Sequence, residues 1–154
     1  MLPFIKEDLV LVVSGNKEPY KTEVLAKIKR LGLEDRVHIL SNISENEKWA
    51  LIQNCESMCH PSIAEGFGIP PIEAMYFGKP VFLSDKTSLP EIGGEVANYF
   101  DSLDPAAMLK MYQNGMEEYH QNIEQKSKEL KNWSKKYSYL EMVKNYLELY
   151  NSCV

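Results

Sequence analysis

The sequence predicts an α/β domain, a parallel β-sheet flanked by helices. Three observations carry that expectation. Short apolar runs alternate with stretches of helical periodicity over most of the chain. The runs are continuous rather than alternating, as strands covered on both faces require. Turn and capping residues, among them Gly32, Gly78 and Asp104-Pro105, stand where one element should give way to the next.

Leu9-Val10-Leu11-Val12-Val13 is the first such run, expected to be a strand covered on both faces, and Ser14-Gly15-Asn16 ends it with turn chemistry. Pro19 opens a helix reaching about Leu31, with Val24, Leu25, Ile28 and Leu31 as its apolar stripe and Gly32 as its cap. Val37 to Leu40 is a second strand. Ser44-Glu45-Asn46-Glu47 has capping-box spacing and starts a helix whose apolar residues are Trp49, Leu51, Ile52 and Cys55. Ser57 to His60 is a third strand.

Val81-Phe82-Leu83 is a fourth strand, Pro90 starts a helical turn, and Asn98-Tyr99-Phe100 is a brief fifth strand. Asp104-Pro105 pairs a good N-cap with a good first helical residue. Helical pattern then runs to the end, with a break near Trp133-Ser134. Met108, Tyr112, Met116 and Tyr119 recur at helical spacing and read as core. The order β-α-β-α-β-α-β-turn-β-α-α implies a Rossmann-like parallel sheet with right-handed crossovers. Such sheets bind ligands at the carboxyl ends of their strands. Here those ends carry the loops Ser14–Asn16, Ser41–Ile43, His60–Ile69 and Ser84–Ser88.

The totals fit a single domain of 154 residues with an ordinary core, 44% hydrophobic and 25% charged. A net charge of −5 argues against a nucleic-acid partner, which needs a basic face. No apolar run approaches the roughly 18 residues of a membrane span, and Met1-Leu2-Pro3-Phe4 has no basic leader. Cys55, Cys59 and Cys153 make an odd count, which favours reduced thiols in a cytoplasm. Cys55 and Cys59 lack further Cys or His partners at zinc-ligand spacing, so no metal is expected.

The stretch that concentrates chemistry is His60 to Pro80, HPSIAEGFGIPPIEAMYFGKP. It reads as strand end, glycine-rich loop, short helix and stop. Pro70 and Pro71 suit the first helical positions, Gly78 suits the end, and Pro80 forbids continuation. A helix start emerging from such a loop offers N–H groups and partial positive charge to an anion. Glu65 lies in the loop and Glu73, eight positions on, is expected in the helix's first turn. An anion site flanked by two carboxylates suits a ligand that is both phosphate and polyol. The plainer readings are a solvated loop acid for Glu65 and a dipole-stabilising acid for Glu73. His60 reads as a buried histidine at a strand end, and the C-terminal lysines, interleaved with glutamates, as a solvated helix face.

The stretch from His60 through SLPEIGGEVANYFDSLDP resembles the nucleotide-binding domain of the family 4 retaining glycosyltransferases, which have the GT-B fold. Glu65-Gly66-Phe67-Gly68, a proline, Glu73-Ala74-Met75 and Gly78-Lys79-Pro80-Val81 follow the family's Glu-x7-Glu pattern. LGLEDRVHIL and ISENEKWALIQNC before it, and Trp133 to Ser138 after it, extend the resemblance to roughly Leu9–Tyr150. Within the family, SLPEIGGEVANYFD looks most like mannosyltransferases of polysaccharide assembly.

The resemblance implies roles. Glu73 would accept from the ribose hydroxyls of a nucleoside-diphosphate sugar. Glu65 would be the catalytic carboxylate beside the donor sugar's reacting carbon. The N–H groups of Gly66, Phe67, Gly68 and Ile69 would approach sugar and diphosphate, and Ser41 and Asn42 the nucleobase. It implies a hexose, mannose in the subgroup matched, moved with retention to a glycan or lipid-linked acceptor. It implies no cofactor beyond the donor substrate and no metal, and peripheral membrane association for a full-length enzyme.

The chain also departs from that pattern. The family's domain begins with another strand, whose loop carries an Arg and a Lys for the diphosphate. The chain's two arginines, Arg30 and Arg36, lie at no strand's carboxyl end, and Ser14 replaces a usual glycine. The expectation is one half of a GT-B fold, with C-terminal helices. It is a single donor-binding domain lacking the first strand-helix unit and the N-terminal acceptor domain, inactive by itself. Alternatives are a noncatalytic nucleotide-sugar-binding module that needs a separate N-terminal half and, ranked below it, a nucleotide-sugar epimerase of related fold.

Overall fold

A computed structural model describes residues 5–13 and 18–153. The expected turn at Ser14–Asn16 and the Ser14 substitution lie outside them. The chain forms two compact units, Met1–Ala50 and Leu51–Val154.

The first unit contains β1 (Leu9–Val13), α1 (Tyr20–Arg30) and β2 (Val37–Ser41). β1 and β2 pair in parallel, Leu9 opposite Val37 and Val13 opposite Ser41. β1 is not covered on both faces as its sequence suggests: Leu9, Val10 and Val12 are 40–47% exposed. A continuous apolar run shows that a strand can be buried and leaves the covering layer unspecified. The same holds for α1, which buries none of its residues although its apolar stripe is present. Arg36 is committed locally, donating to the carbonyl oxygens of Ile5 and Glu7 and pairing with Asp8 at 3.4 Å.

The helix α2 (Glu45–Asn54) starts as its capping box predicts. The amide N–H and hydroxyl of Ser44 both donate to Glu47 Oε2 at 2.7 Å, and Glu47 N–H returns a 3.3 Å bond to Ser44 Oγ.

The second unit is built on the parallel sheet β3 (Met58–His60), β4 (Val81–Ser84) and β5 (Asn98–Phe100), with β4 central. The described strands therefore form two parallel sheets rather than one. Every residue of β4 is buried, as an unalternating run predicts for a central parallel strand. Val81 and Leu83 join Ile52, Ala74, Met75, Leu89, Ile92 and Leu130 in one cluster. Phe82 packs instead with Phe100 and Tyr112, ring centroids 6.1 and 5.0 Å apart. Each such side chain, fully buried, contributes about 1.5–3 kcal/mol relative to exposure.

Helices α3 (Ile69–Tyr76) and α4 (Leu89–Gly93) follow β3 and β4. The long α5 (Pro105–Gln121) begins on Asp104, whose carboxylate accepts from the N–H groups of Ala106 and Ala107 at 2.9 and 3.2 Å. It buries Tyr112 and Met116, with Met108 and Tyr119 half-buried. The expected break falls after α6 (Ile123–Ser134), where a 3₁₀ turn at Lys135–Tyr137 leads to α7 (Tyr139–Ser152). Trp133 and Tyr137, at that break, donate to the carbonyl oxygens of Ile92 and Glu91 at 2.7 and 2.9 Å. The aromatic segment thus ties the end of α6 to α4.

Candidate functional site

The loop at residues 61–68 leaves the carboxyl end of β3 beside the loop that leaves β4. Three hydroxyls stitch the two loops together. Ser84 Oγ donates to the Ser62 carbonyl. Thr87 Oγ1 accepts the Glu65 N–H at 3.1 Å, and Ser88 Oγ donates to the carbonyls of Phe67 and Glu65 at 3.0 and 3.3 Å. Thr87 does this from φ +52°, a left-handed conformation unfavourable to a β-branched residue. Such outliers persist where the surroundings over-determine them, and they concentrate at ligand-binding loops.

The Glu65 carboxylate is fixed as well. His60 Nε2 lies 2.8 Å from Glu65 Oε2, with both side chains about one-quarter exposed. Since a carboxylate only accepts, Nε2 carries the proton. That hydrogen bond, above all, holds the Glu65 carboxyl below its ordinary value, with burial opposing it. The plain strand-end role expected of His60 is corrected here. The ring is partly open and spends its polar edge on Glu65. Four residues of loop, 61–64, lie between the pair, and only the turn of that loop brings them together.

The glycines differ in what the fold asks of them. Gly68, at φ +105°, caps α3, and a Cβ there would meet Leu89 Cδ2 at 3.2 Å. Gly66 is not left-handed, and a Cβ there would meet nothing within 4 Å. Folding therefore explains Gly68 but not Gly66. Phe67 is 53% exposed, its ring edge-on to Tyr137 at 6.1 Å, and Ile69 is 58% exposed.

α3 begins at Ile69, one residue earlier than Pro70, because Gly68 turns the chain into the helix. Two expectations change with it. Pro70 and Pro71 occupy the second and third positions, so Ile69 and Ile72 are the only N–H donors among the helix's first four residues. The helix end is a poorer anion site than expected. Glu73 lies in the second turn rather than the first, which contains no acid. A dipole effect confined to the first turn therefore explains Glu73 less well. Its side chain is half-buried.

Ser41 and Asn42 belong to the first unit. Ser41 ends β2, and Asn42 is left-handed at φ +57°. Glu65 to Ile69 and Glu73 sit together in the second unit, on one loop and the helix it opens. Thr87, Ser88 and His60 were not legible as site residues. Hydroxyls in a loop after a strand are ordinary, and sequence spacing does not reveal contacts across it. Among the described residues no cluster of three His, Cys, Asp or Glu could hold a metal, and no helix is long and apolar enough to cross a membrane.

Fold and loop geometry together define an α/β domain with a glycine-containing loop and two carboxylates at the carboxyl edge of a parallel sheet. Residues 3–100 match the family Glycosyl transferases group 1, and the chain belongs to that family. It is 40% identical over 91 residues to an MMP alpha-(1->4)-mannosyltransferase of Mycolicibacterium hassiacum, covering 58% of this chain and 22% of the relative. An O-antigen chain mannosyltransferase, RfbU, of Salmonella typhimurium is 39% identical over 75 residues, 49% of this chain and 21% of its own. The chain thus spans about a fifth of the length of these relatives.

Among solved structures, Anabaena Alr3699/HepE in complex with UDP-glucose superposes with a TM-score of 0.71 at 24% identity, over 94% of this chain and 41% of that one. WaaG, a glycosyltransferase involved in lipopolysaccharide biosynthesis, superposes with a TM-score of 0.63 at 19% identity, over 82% and 34%. The fold is that of one half of a GT-B glycosyltransferase.

Proposed function

We propose that this chain is the donor-binding portion of a retaining glycosyltransferase. The full enzyme would move a hexose, mannose foremost, from a nucleoside-diphosphate sugar to a glycan or lipid-linked acceptor in polysaccharide synthesis. The observation that carries this reading is Gly66. Neither backbone conformation nor packing requires glycine there, so its missing side chain is best explained by a ligand approaching the loop closely. Mannosyltransferase relatives and a fold shared with a UDP-glucose complex support it.

In this reading Glu73 accepts from the ribose diol. Glu65 stands beside the donor sugar, where its charge steadies positive charge developing at the anomeric carbon as the bond to the diphosphate breaks. The N–H groups of Gly66, Phe67, Gly68 and Ile69 face sugar and diphosphate. In this reading the residues named hold the donor, and acceptor binding belongs to the full enzyme. The reaction needs no metal in this reading, and the donor places it in the cytoplasm, with the full enzyme at a membrane surface when its acceptor is a lipid.

Calorimetric titration tests it, with GDP, UDP, GDP-mannose and UDP-glucose as probes. Glu73→Ala should weaken diphosphate binding roughly 10- to 100-fold, the scale of a hydrogen bond to a charged group. Equal affinity in wild type and variant would sink the assignment. An alternative reading is a noncatalytic binding module that works with a separately encoded half. Turnover on mixing with such a half, and none without it, would distinguish the two.

A further inference from the structure

We propose that His60 is a positioning residue for the donor sugar, holding the Glu65 carboxylate in the orientation that engages it. This rests on the donor-site reading of the loop and adds to it a residue outside the glutamate pair. His60 is well placed to position something. It ends β3, where its backbone is in register with Leu83 of buried β4, so its ring is carried by the rigid part of the unit. Glu65 lies on a loop, and its backbone is already fixed by Thr87 and Ser88. The carboxylate is drawn to the N–H groups of Gly66 and Phe67, and His60 Nε2 gives it its principal partner by engaging Oε2 at 2.8 Å.

The consequence is selective. His60 engages Oε2, and an ionised carboxylate, with about four acceptor positions on its two oxygens, can still accept from a sugar hydroxyl. With Nε2 donating, Glu65 accepts as a carboxylate beside the sugar. Losing His60 should therefore harm recognition of the sugar and spare the nucleotide, because the side chain it engages is Glu65, the carboxylate assigned to the sugar.

Titration of GDP-mannose against GDP, and of UDP-glucose against UDP, reads this directly. In His60→Ala the sugar nucleotide should lose roughly tenfold in affinity, the scale of one charge-assisted hydrogen bond, with the matching diphosphate unchanged. His60→Gln, whose amide N–H can reach the same oxygen, should recover most of that loss. An unaltered ratio of the two affinities, or a Gln variant no better than Ala, overturns the role of His60 alone. Wild type binding neither diphosphate nor sugar nucleotide overturns the donor-site reading together with it. Should His60→Ala fail to fold, imidazole ¹⁵N spectra of wild type decide. His60 resonances should move with the sugar nucleotide and not with the diphosphate. Equal responses to both, or none to either, overturn the proposal.

Discussion

Trp133 donates its indole N–H to the carbonyl oxygen of Ile92 across 2.7 Å. The two residues are 41 positions apart, and the bond joins the end of α6 to α4. Ile92 is 2% exposed, and its side chain lies with that of Leu89 beneath Gly68. The C-terminal helices are in this way part of the support of the loop that carries Glu65.

Trp133→Phe should therefore destabilise the protein. The replacement keeps an aromatic ring but leaves the Ile92 carbonyl without its donor, at a cost of about 1–3 kcal/mol. Urea unfolding should show a lower midpoint with an unchanged slope. A change below about 0.5 kcal/mol, the range of an ordinary surface substitution, would mean that the indole bond contributes nothing measurable to holding α4.

Gly78 makes a sharper test of close packing. It follows α3 at φ +74°, and a Cβ there would lie 2.0 Å from Ser127 Oγ and 3.0 Å from the Ser127 carbonyl. Gly78→Ala combines left-handed strain with a clash against α6 and should cost about 2–4 kcal/mol. Gly32 is the control, since at φ +62° its Cβ would meet nothing within 4 Å. Gly32→Ala should lose only the backbone part, about 1 kcal/mol. Equal losses in denaturant unfolding would show that strain, not the approach of α6, makes Gly78 a glycine.

What the sequence made legible is what local chemistry decides. The Ser44–Glu47 box, the Asp104 cap, the buried run of β4 and the turn at Gly78 each follow from a few adjacent residues. What it left unread depends on partners distant in the chain. The run Leu9–Val13 is equally apolar whether or not a layer covers it, and the exposure of Leu9, Val10 and Val12 is a tertiary fact. Glu73 moved from first turn to second because Gly68, rather than the prolines, sets where α3 begins. At the site, Glu65 was visible through its motif. His60, Thr87 and Ser88 were not, because a strand-end ring and two loop hydroxyls acquire meaning only when the loops after β3 and β4 meet.

Acid should loosen the start of α2 first at Glu47. The Ser44 hydroxyl, and then its N–H, hold that carboxyl below its ordinary value of 4.5. A depressed carboxyl stabilises fully above its unfolded value and loses the contribution as pH falls through the lower folded value. The acid limb should therefore begin below about pH 4.5 and be absent at neutrality. In Ser44→Ala the hydroxyl is gone, and the Glu47 carboxyl midpoint, followed by ¹³C resonance, should rise toward 4.5. The same midpoint in both proteins would leave the capping box without an electrostatic role.

Gly66 and Gly68 stand two positions apart and should answer differently to the same substitution. Gly68→Ala places a methyl at φ +105° and 3.2 Å from Leu89 Cδ2, so it should lose about 1–3 kcal/mol of stability from strain and crowding. Gly66→Ala meets open space at an unstrained φ and should leave stability within about 0.5 kcal/mol of wild type or raise it slightly, by restricting the unfolded chain. Binding should show the reverse order of cause. If the loop admits a sugar diphosphate against its backbone, the Gly66 methyl stands in the ligand's path, and affinity for GDP-mannose or UDP-glucose should fall at least tenfold in a fully folded protein. Thermal unfolding and calorimetric titration on the same samples separate the two effects. A Gly66→Ala protein that is both stable and undiminished in binding would remove the reason for a glycine at that position, and with it the observation on which the donor site most depends.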